Sequence, residues 1–152
     1  MRGLTPKMSA AVIALAAGAA GAAGSAPALA DEVWSTPFGD MQWETTLRDM
    51  AVFNLYGDGV APSEMRVFLP GLQNDVMGGR GHYSGFWTAE SGQPLCSAAL
   101  TDPMGTTTYD WGRVELTFER GEFPSGWTAR FGTCFGEPEE SFRGVTPAGG
   151  GK

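Results

Sequence analysis

Short stretches in which apolar and polar side chains alternate recur along the chain after residue 30. The alternation is clearest in Arg113–Glu119, where the three apolar residues at even positions fall on one side. A period of two predicts a β-strand with one buried face and one solvated face. Gly81–Glu90 and Glu64–Leu69 show the same alternation. These stretches therefore predict an antiparallel all-β protein.

Turn signals separate the predicted strands. Asp102–Gly105 has Asp at its first position, Pro at its second and Gly at its fourth, which favours a type I turn. Phe123–Gly126 repeats the placement of Pro and Gly. The stretches between these turns predict three consecutive strands joined as a meander, at about Pro94–Leu100, Thr107–Glu119 and Trp127–Phe135.

The remaining segments complete the predicted domain. Some of the apolar residues of Trp43–Tyr56 would fall on one face of a helix. The continuous apolar run Met50–Phe53 favours a buried strand instead. Pro70–Arg80 contains the pairs Asn74-Asp75 and Gly78-Gly79 and predicts a loop. We therefore expect one all-β domain over residues 31–135, a small antiparallel β-sandwich or barrel of about six to eight strands with one disulfide. Residues 136–152 are rich in Gly, Pro and Glu and predict a flexible tail.

The first thirty residues have the pattern of a cleaved signal peptide. Arg2 and Lys7 are followed by the uncharged apolar run Ala10–Gly24, and small residues stand at Ala28 and Ala30. A membrane anchor or a buried helix is the alternative, but this run is shorter than the ~20 residues of a membrane span. We expect residues 1–30 to be removed and the protein to be periplasmic or extracellular, with no membrane attachment after cleavage.

The chain that remains is strongly acidic. Removing 30 of 152 residues leaves 122, with eight basic and 17 acidic side chains and a net charge of −9. Nucleic acids and anionic membrane surfaces are recognised by basic surfaces, so neither is an expected partner. A high net charge keeps an exported protein soluble and favours a monomer, and it leaves a cationic partner open.

Two cysteines, Cys96 and Cys134, predict one disulfide, because an even pair in an exported chain is usually oxidised. The bridge closes a 39-residue loop and contributes about 4 kcal/mol in the chain-entropy description. A metal pair or two free thiols are the alternatives. In a flat meander the two cysteines would lie at opposite ends of the sheet, so the bridge favours a sheet that folds over or closes. A bulge at Gly132 would turn Cys134 inward.

The residue pattern does not favour an enzyme. His82 is the only histidine and Ser84 shares its predicted strand face, but no Gly-x-Ser-x-Gly turn accompanies them. The following carboxylates lie near aromatic residues and could serve a small hydrolase of the glycosidase type, or could be ordinary solvated residues: Glu44, Glu90, Asp110 and Glu115. The chain has no zinc, calcium, haem or phosphate-binding motif, so no cofactor is expected.

Tryptophans recur in three successive predicted strands. Trp87, Trp111 and Trp127, with Tyr83 nearby, could line a cup for a sugar or an apolar ligand, or could simply fill the core. We take these four as the candidate ligand-binding residues. The sequence thus predicts a non-catalytic binding module for a small ligand or a protein partner. A small carboxylate-based hydrolase and an envelope structural protein without a ligand are the alternatives.

Gly85–Trp87 resembles the Gly-x-Trp triplet of lipocalin-type barrels, which carry small apolar ligands. In that family the triplet lies in the first strand, whereas here it lies in the middle of the chain, and no other motif of the family aligns. No site residue is carried over from the resemblance and no family is assigned.

Overall fold

The computed structural model describes residues 32–57, 64–72, 80–90, 94–122 and 124–147. The predicted signal peptide and most of the loop expected within Pro70–Arg80 lie outside these ranges. The described chain contains ten strands and no α-helix, which confirms the all-β class. The strands are β1 (Val33–Thr36), β2 (Gly39–Leu47), β3 (Met50–Gly57), β4 (Met65–Pro70), β5 (His82–Ala89), β6 (Leu100–Thr101), β7 (Thr107–Thr108), β8 (Asp110–Phe118), β9 (Trp127–Phe131) and β10 (Glu140–Gly144).

Eight of the strands form one antiparallel sheet in the order β1-β2-β3-β4-β5-β8-β9-β10. The sheet curls until its first and last strands meet. There the Ser35 N–H donates to the Val145 carbonyl at 2.9 Å, and the Val145 N–H donates to the Ser35 carbonyl at 3.0 Å. The architecture is therefore a nearly closed up-and-down barrel, one of the two forms that the sequence left open.

The alternation along each strand decides which side chains fill the barrel. Val114, Leu116 and Phe118 of β8 are buried in the interior, as predicted. Trp43–Tyr56 forms parts of β2 and β3, so the strand interpretation of this segment is confirmed. The largest fully buried side chains of the interior are Trp34, Trp43, Trp127, Phe53, Met41, Leu55, Leu69 and Leu116.

Two indole rings fit inside this narrow barrel because a glycine faces each of them. Trp127 pairs with Gly144 across β9 and β10, and Trp87 pairs with Gly112 across β5 and β8. A Cβ atom on Gly144 would lie 2.2 Å from the Trp127 ring, and one on Gly112 would lie 2.7 Å from the Trp87 Nε1. A larger residue at Gly144 would push the Trp127 indole out of place. One at Gly112 would in addition collide with the Gly132 carbonyl oxygen, 1.9 Å from the added Cβ atom.

One end of the barrel, here called the Arg80 end, holds a buried ion pair. The Arg80 guanidinium donates to both carboxylate oxygens of Glu32, at 2.6 and 2.7 Å. Its central carbon lies 5.7 Å from the Trp43 ring centroid and 5.3 Å from that of Phe118. The pair is thus enclosed by aromatic rings and shielded from water.

The connection between β5 and β8 packs on the outside of the barrel. Its β6–β7 hairpin contains the predicted type I turn, in which the Gly105 N–H donates to the Asp102 carbonyl at 3.0 Å. The Asp102 side chain accepts the Met104 N–H at 2.9 Å, so its role as a turn former is confirmed. The Trp111 indole N–H donates to the Ala98 carbonyl at 2.8 Å and holds this connection against β8.

The disulfide forms as predicted, but by a different route. Cys96 and Cys134 are bonded, with 5.6 Å between their Cα atoms. Residues 94–99 are irregular rather than a strand of a meander, so Cys96 can lie over the end of β9. The Gly132 and Cys134 N–H groups donate to the Arg113 and Trp111 carbonyls and so continue the β8–β9 register. No bulge at Gly132 is needed, because the bridge lies on the outer face.

The ordered sheet also extends past the boundary expected at Phe135. Strand β10 lies in the stretch for which a flexible tail was predicted, and it pairs with β9 from Glu140 to Gly144. Its inward positions carry Glu140, Phe142 and Gly144, a set with a single large apolar residue. Such a strand has little hydrophobic signal of its own and is stabilised by its neighbours.

Candidate functional site

The barrel has a cavity of about 410 Å³ at the end opposite Arg80, here called the mouth cavity. Six of the eleven described residues that line it have apolar side chains. The apolar side chains that line it are Phe38, Leu55, Met65, Trp87, Phe131 and Phe142. Three glutamates, Gly132 and Thr133 complete the described lining.

Several strands direct side chains into the mouth cavity because they all end or begin there. Leu55 near the end of β3 pairs with Met65 at the start of β4. Phe131 ends β9, and Trp87 lies near the end of β5. Three inward residues that lie two positions further along these strands are completely buried: Phe53, Val67 and Ala129. The core therefore provides an apolar floor below the cavity.

Trp87 is held in one orientation in the cavity wall. Its indole N–H donates to the Gly132 carbonyl at 2.9 Å, and Gly112 leaves room for the ring. Because the only polar atom of the side chain is already bonded within the protein, Trp87 offers a ligand an apolar surface rather than a hydrogen bond. The ring is 7% exposed, so it is preorganised before any ligand arrives.

Phenylalanines form the outer part of the wall, beside the seam between β1 and β10. The Phe38 ring meets the Phe142 ring edge to face at 5.0 Å, and Phe142 stacks on Phe131 at 4.7 Å. Phe38 remains 39% exposed. The mouth thus presents aromatic surface close to solvent.

Acidic side chains form the rim of the mouth cavity. Glu137, Glu139 and Glu140 all line it, and none of its described lining residues is Lys, Arg or His. Glu137 forms an exposed ion pair with Arg113 at 3.2 Å. Within the described ranges, Glu139 and Glu140 have no ion-pair partner. The rim therefore carries uncompensated negative charge.

The structure does not bring the four predicted ligand-binding residues together. Trp87 lines the mouth cavity, whereas Trp111 lies on the outer face of β8, with its ring 4.8 Å from Phe135. Trp87 and Trp111 are on adjacent strands but on opposite faces, because Trp87 pairs with Gly112. Trp127 lies in the core, 6.3 Å from the Trp34 ring, and Tyr83 packs against Phe118 at 6.1 Å.

Sequence reasoning missed most of the cavity wall. The sequence predicts the strands that carry Leu55, Met65 and Phe131, but nothing in its pattern says which end of a barrel they occupy. The acidic rim and Phe142 lie in the stretch for which the sequence predicts a flexible tail. The alternation of Glu140, Phe142 and Gly144 was the one signal that could have indicated a last strand.

The residues considered for catalysis lie outside the mouth cavity. The His82 Nδ1 is 2.9 Å from the Thr117 hydroxyl on the outer surface, and Ser84 is exposed on the same strand. Asp110 is buried and accepts the Leu95 N–H at 3.0 Å. The other three carboxylates lie at the surface or partly exposed: Glu44, Glu90 and Glu115. In the described ranges no three potential metal ligands cluster.

No protein-family model, curated protein or solved structure matches this chain. The Gly85–Trp87 triplet lies in β5, the fifth strand of the barrel, and not in the first strand where lipocalin-type barrels carry it. The described residues contain no helix long and apolar enough to cross a membrane.

Proposed function

We propose that this protein is a non-catalytic binding protein that holds one small, largely apolar ligand in the mouth cavity. The observation that carries the proposal is a cavity of about 410 Å³ with six apolar side chains in its wall. Most small-molecule sites in proteins have volumes of about 300–1,000 Å³ and predominantly hydrophobic and aromatic walls. An eight-stranded barrel is wide enough to hold one such ligand when one end is not filled by side chains.

The side chains of the cavity wall are held in fixed positions, which supports a role in ligand binding. The Trp87 indole is fixed by its bond to the Gly132 carbonyl, and Phe131 and Phe142 stack on one another. A wall fixed in this way loses little conformational entropy when a ligand enters. Apolar contact with these rings supplies the binding free energy.

The compartment proposed for this function is the periplasm or the extracellular space. A disulfide between Cys96 and Cys134 is compatible with an oxidising compartment, and the pattern of residues 1–30 supports export. We propose that the mature protein is a monomer that carries or sequesters its ligand there, with no nucleic acid or membrane partner. A protein partner is the second candidate for the same acidic surface.

Native mass spectrometry of the oxidised mature protein, purified from the periplasm of a bacterial host, tests the proposal first. We expect a population with one bound small molecule. The neutral apolar fluorophore N-phenyl-1-naphthylamine then serves as a probe in titrations that follow its fluorescence and the tryptophan emission.

Variants locate the probe. Met65→Trp, which fills part of the mouth cavity, should weaken its binding at least about tenfold, a loss of about 1.4 kcal/mol. Trp87→Phe should reduce energy transfer from tryptophan to the probe. The matched control Trp111→Phe, on the outer face, should leave the affinity for the probe unchanged, and circular dichroism checks that each variant folds. Failure of the probe to bind, or binding unaffected by Met65→Trp, would overturn the proposal.

A further inference from the structure

We infer that the ligand of the mouth cavity is a hydrophobic cation, with its apolar body inside the barrel and its positive group at the rim beside Glu139 and Glu140. This inference rests on the proposed function and names the ligand class. It follows from where the cavity is apolar, where it is charged and which charges already have partners.

The inner part of the cavity cannot accept a charged group. Leu55, Met65 and Trp87 form its wall, and Phe53 and Val67 beyond them are completely buried. An ion placed there would lose its hydration without gaining a hydrogen-bonding partner, at a cost of several kcal/mol. Any charged group on the ligand must therefore lie at the rim.

The rim selects the sign of that charge. Glu139 and Glu140 line the cavity, and neither has an ion pair with a described residue, whereas Glu137 is already paired with Arg113. Glu140 occupies an inward position of β10, two residues before Phe142, so its carboxylate lies on the cavity side of the strand. A cation at this rim is attracted and an anion is repelled, because no basic side chain in the described lining offsets the two carboxylates.

The aromatic rings at the mouth suit a cation better than a neutral polar group. Phe38 is 39% exposed and meets Phe142 edge to face, so aromatic surface of Phe38 lies close to solvent near the rim. The negative face of an aromatic ring attracts ammonium groups, and quaternary ammonium ligands are commonly held by aromatic cages. The carboxylates and the aromatic rings at the mouth thus both favour a cationic group on the ligand.

Three compounds with the same eight-carbon chain test the inference: octyltrimethylammonium, 1-octanol and octyl sulfate. Isothermal titration at low ionic strength measures their dissociation constants on the oxidised mature protein. We expect octyltrimethylammonium to bind at least about tenfold more tightly than octyl sulfate, with 1-octanol between them. In about 1 M salt, where the screening length is only ~3 Å, the ratio should fall towards one.

A pair of double variants separates the rim from the overall negative charge. Glu139→Gln with Glu140→Gln should reduce the preference for the cation at least about fivefold and leave 1-octanol binding unchanged. The control Glu44→Gln with Asp49→Asn removes the same charge from exposed positions outside the cavity lining. It should leave the preference nearly unchanged.

The outcomes distinguish the inference from the proposed function. If none of the three compounds binds, the mouth cavity is not a ligand site and both fail. If 1-octanol binds but octyl sulfate binds as well as or better than octyltrimethylammonium, the cavity binds ligands and the inferred ligand class is wrong. An equal loss of preference in both double variants would also overturn the role of the rim.

Discussion

Replacing Glu32 with glutamine is expected to destabilise the barrel severely while leaving its shape almost unchanged. The substitution keeps the size of the side chain but removes the carboxylate charge that pairs with Arg80, whose side chain is 1% exposed. Because Trp43 and Phe118 lie over the guanidinium, water cannot easily replace the lost carboxylate. Breaking a buried ion pair by removing one of its two charges costs roughly 3–5 kcal/mol.

The expected change in melting temperature follows from this loss of free energy and from the size of the domain. The unfolding entropy is about 2.1 cal/mol/K per residue, so a mature chain of 122 residues has roughly 0.25 kcal/mol/K. The expected decrease in the melting temperature of Glu32→Gln is therefore roughly 12–20 °C. Urea unfolding of the oxidised mature domain gives the free energy directly, provided that the slope of the transition is unchanged.

Two further variants make this reasoning refutable. In the exposed pair of Glu119 and Arg143, the change Arg143→Gln should alter stability by less than about 1 kcal/mol. Replacing both buried partners, as Glu32→Leu with Arg80→Met, should restore most of the stability, because neither charge of the pair then remains buried. A loss below about 1 kcal/mol in Glu32→Gln would refute the assigned importance of this pair.

Three other perturbations test the rest of the structure. Replacing Cys96 and Cys134 together by alanine should lower the free energy of unfolding by about 4 kcal/mol, because the disulfide restricts the unfolded chain. An unchanged midpoint of urea unfolding would contradict this stabilisation. Leu116→Ala should lower the free energy of unfolding by about 2–5 kcal/mol, because Leu116 is completely buried. The control Thr117→Ala, at the exposed neighbouring position, should change it by no more than about 0.5 kcal/mol. Similar losses in both variants would show that the face of β8 assigned to the interior is wrong. Asp102→Ala removes the acceptor of two backbone N–H groups in the β6–β7 turn. Thermal unfolding should show a decrease of about 1–3 kcal/mol in the free energy of unfolding. Unchanged stability would show that water replaces the carboxylate.

Local patterns predicted the individual strands well, because alternation and turn chemistry are properties of neighbouring residues. The inward set of β8, the alternation of β5 and the turn at Asp102–Gly105 all follow from short-range rules. The path of residues 94–99 and the pairing of β10 do not. Both depend on partners far along the chain: Cys96 lies beside residues after β9, and Ser35 pairs with Val145.

The sequence could predict the kind of candidate site, an aromatic cup, but not most of the residues that form it. An aromatic ligand cup was a reasonable expectation, and Trp87 does line the mouth cavity. Trp111 pairs across from Thr88 rather than from Trp87, and this register sends its ring to the outer surface. A single-residue difference in register reverses the face of every side chain in a strand, and the spacing of tryptophans in the sequence does not contain the register.

The seam between β1 and β10 makes the last strand a condition both for a sheet without open edges and for a formed mouth cavity. A chain that ends before Glu140 would leave the outer edges of β1 and β9 unpaired, and such edges promote association with other chains. The same truncated chain would lack Phe142 and the Glu140 carboxylate, so the aromatic interior would face solvent where the mouth cavity should be. Addition of the last strand therefore completes the wall of the mouth cavity and removes an aggregation hazard in the same step.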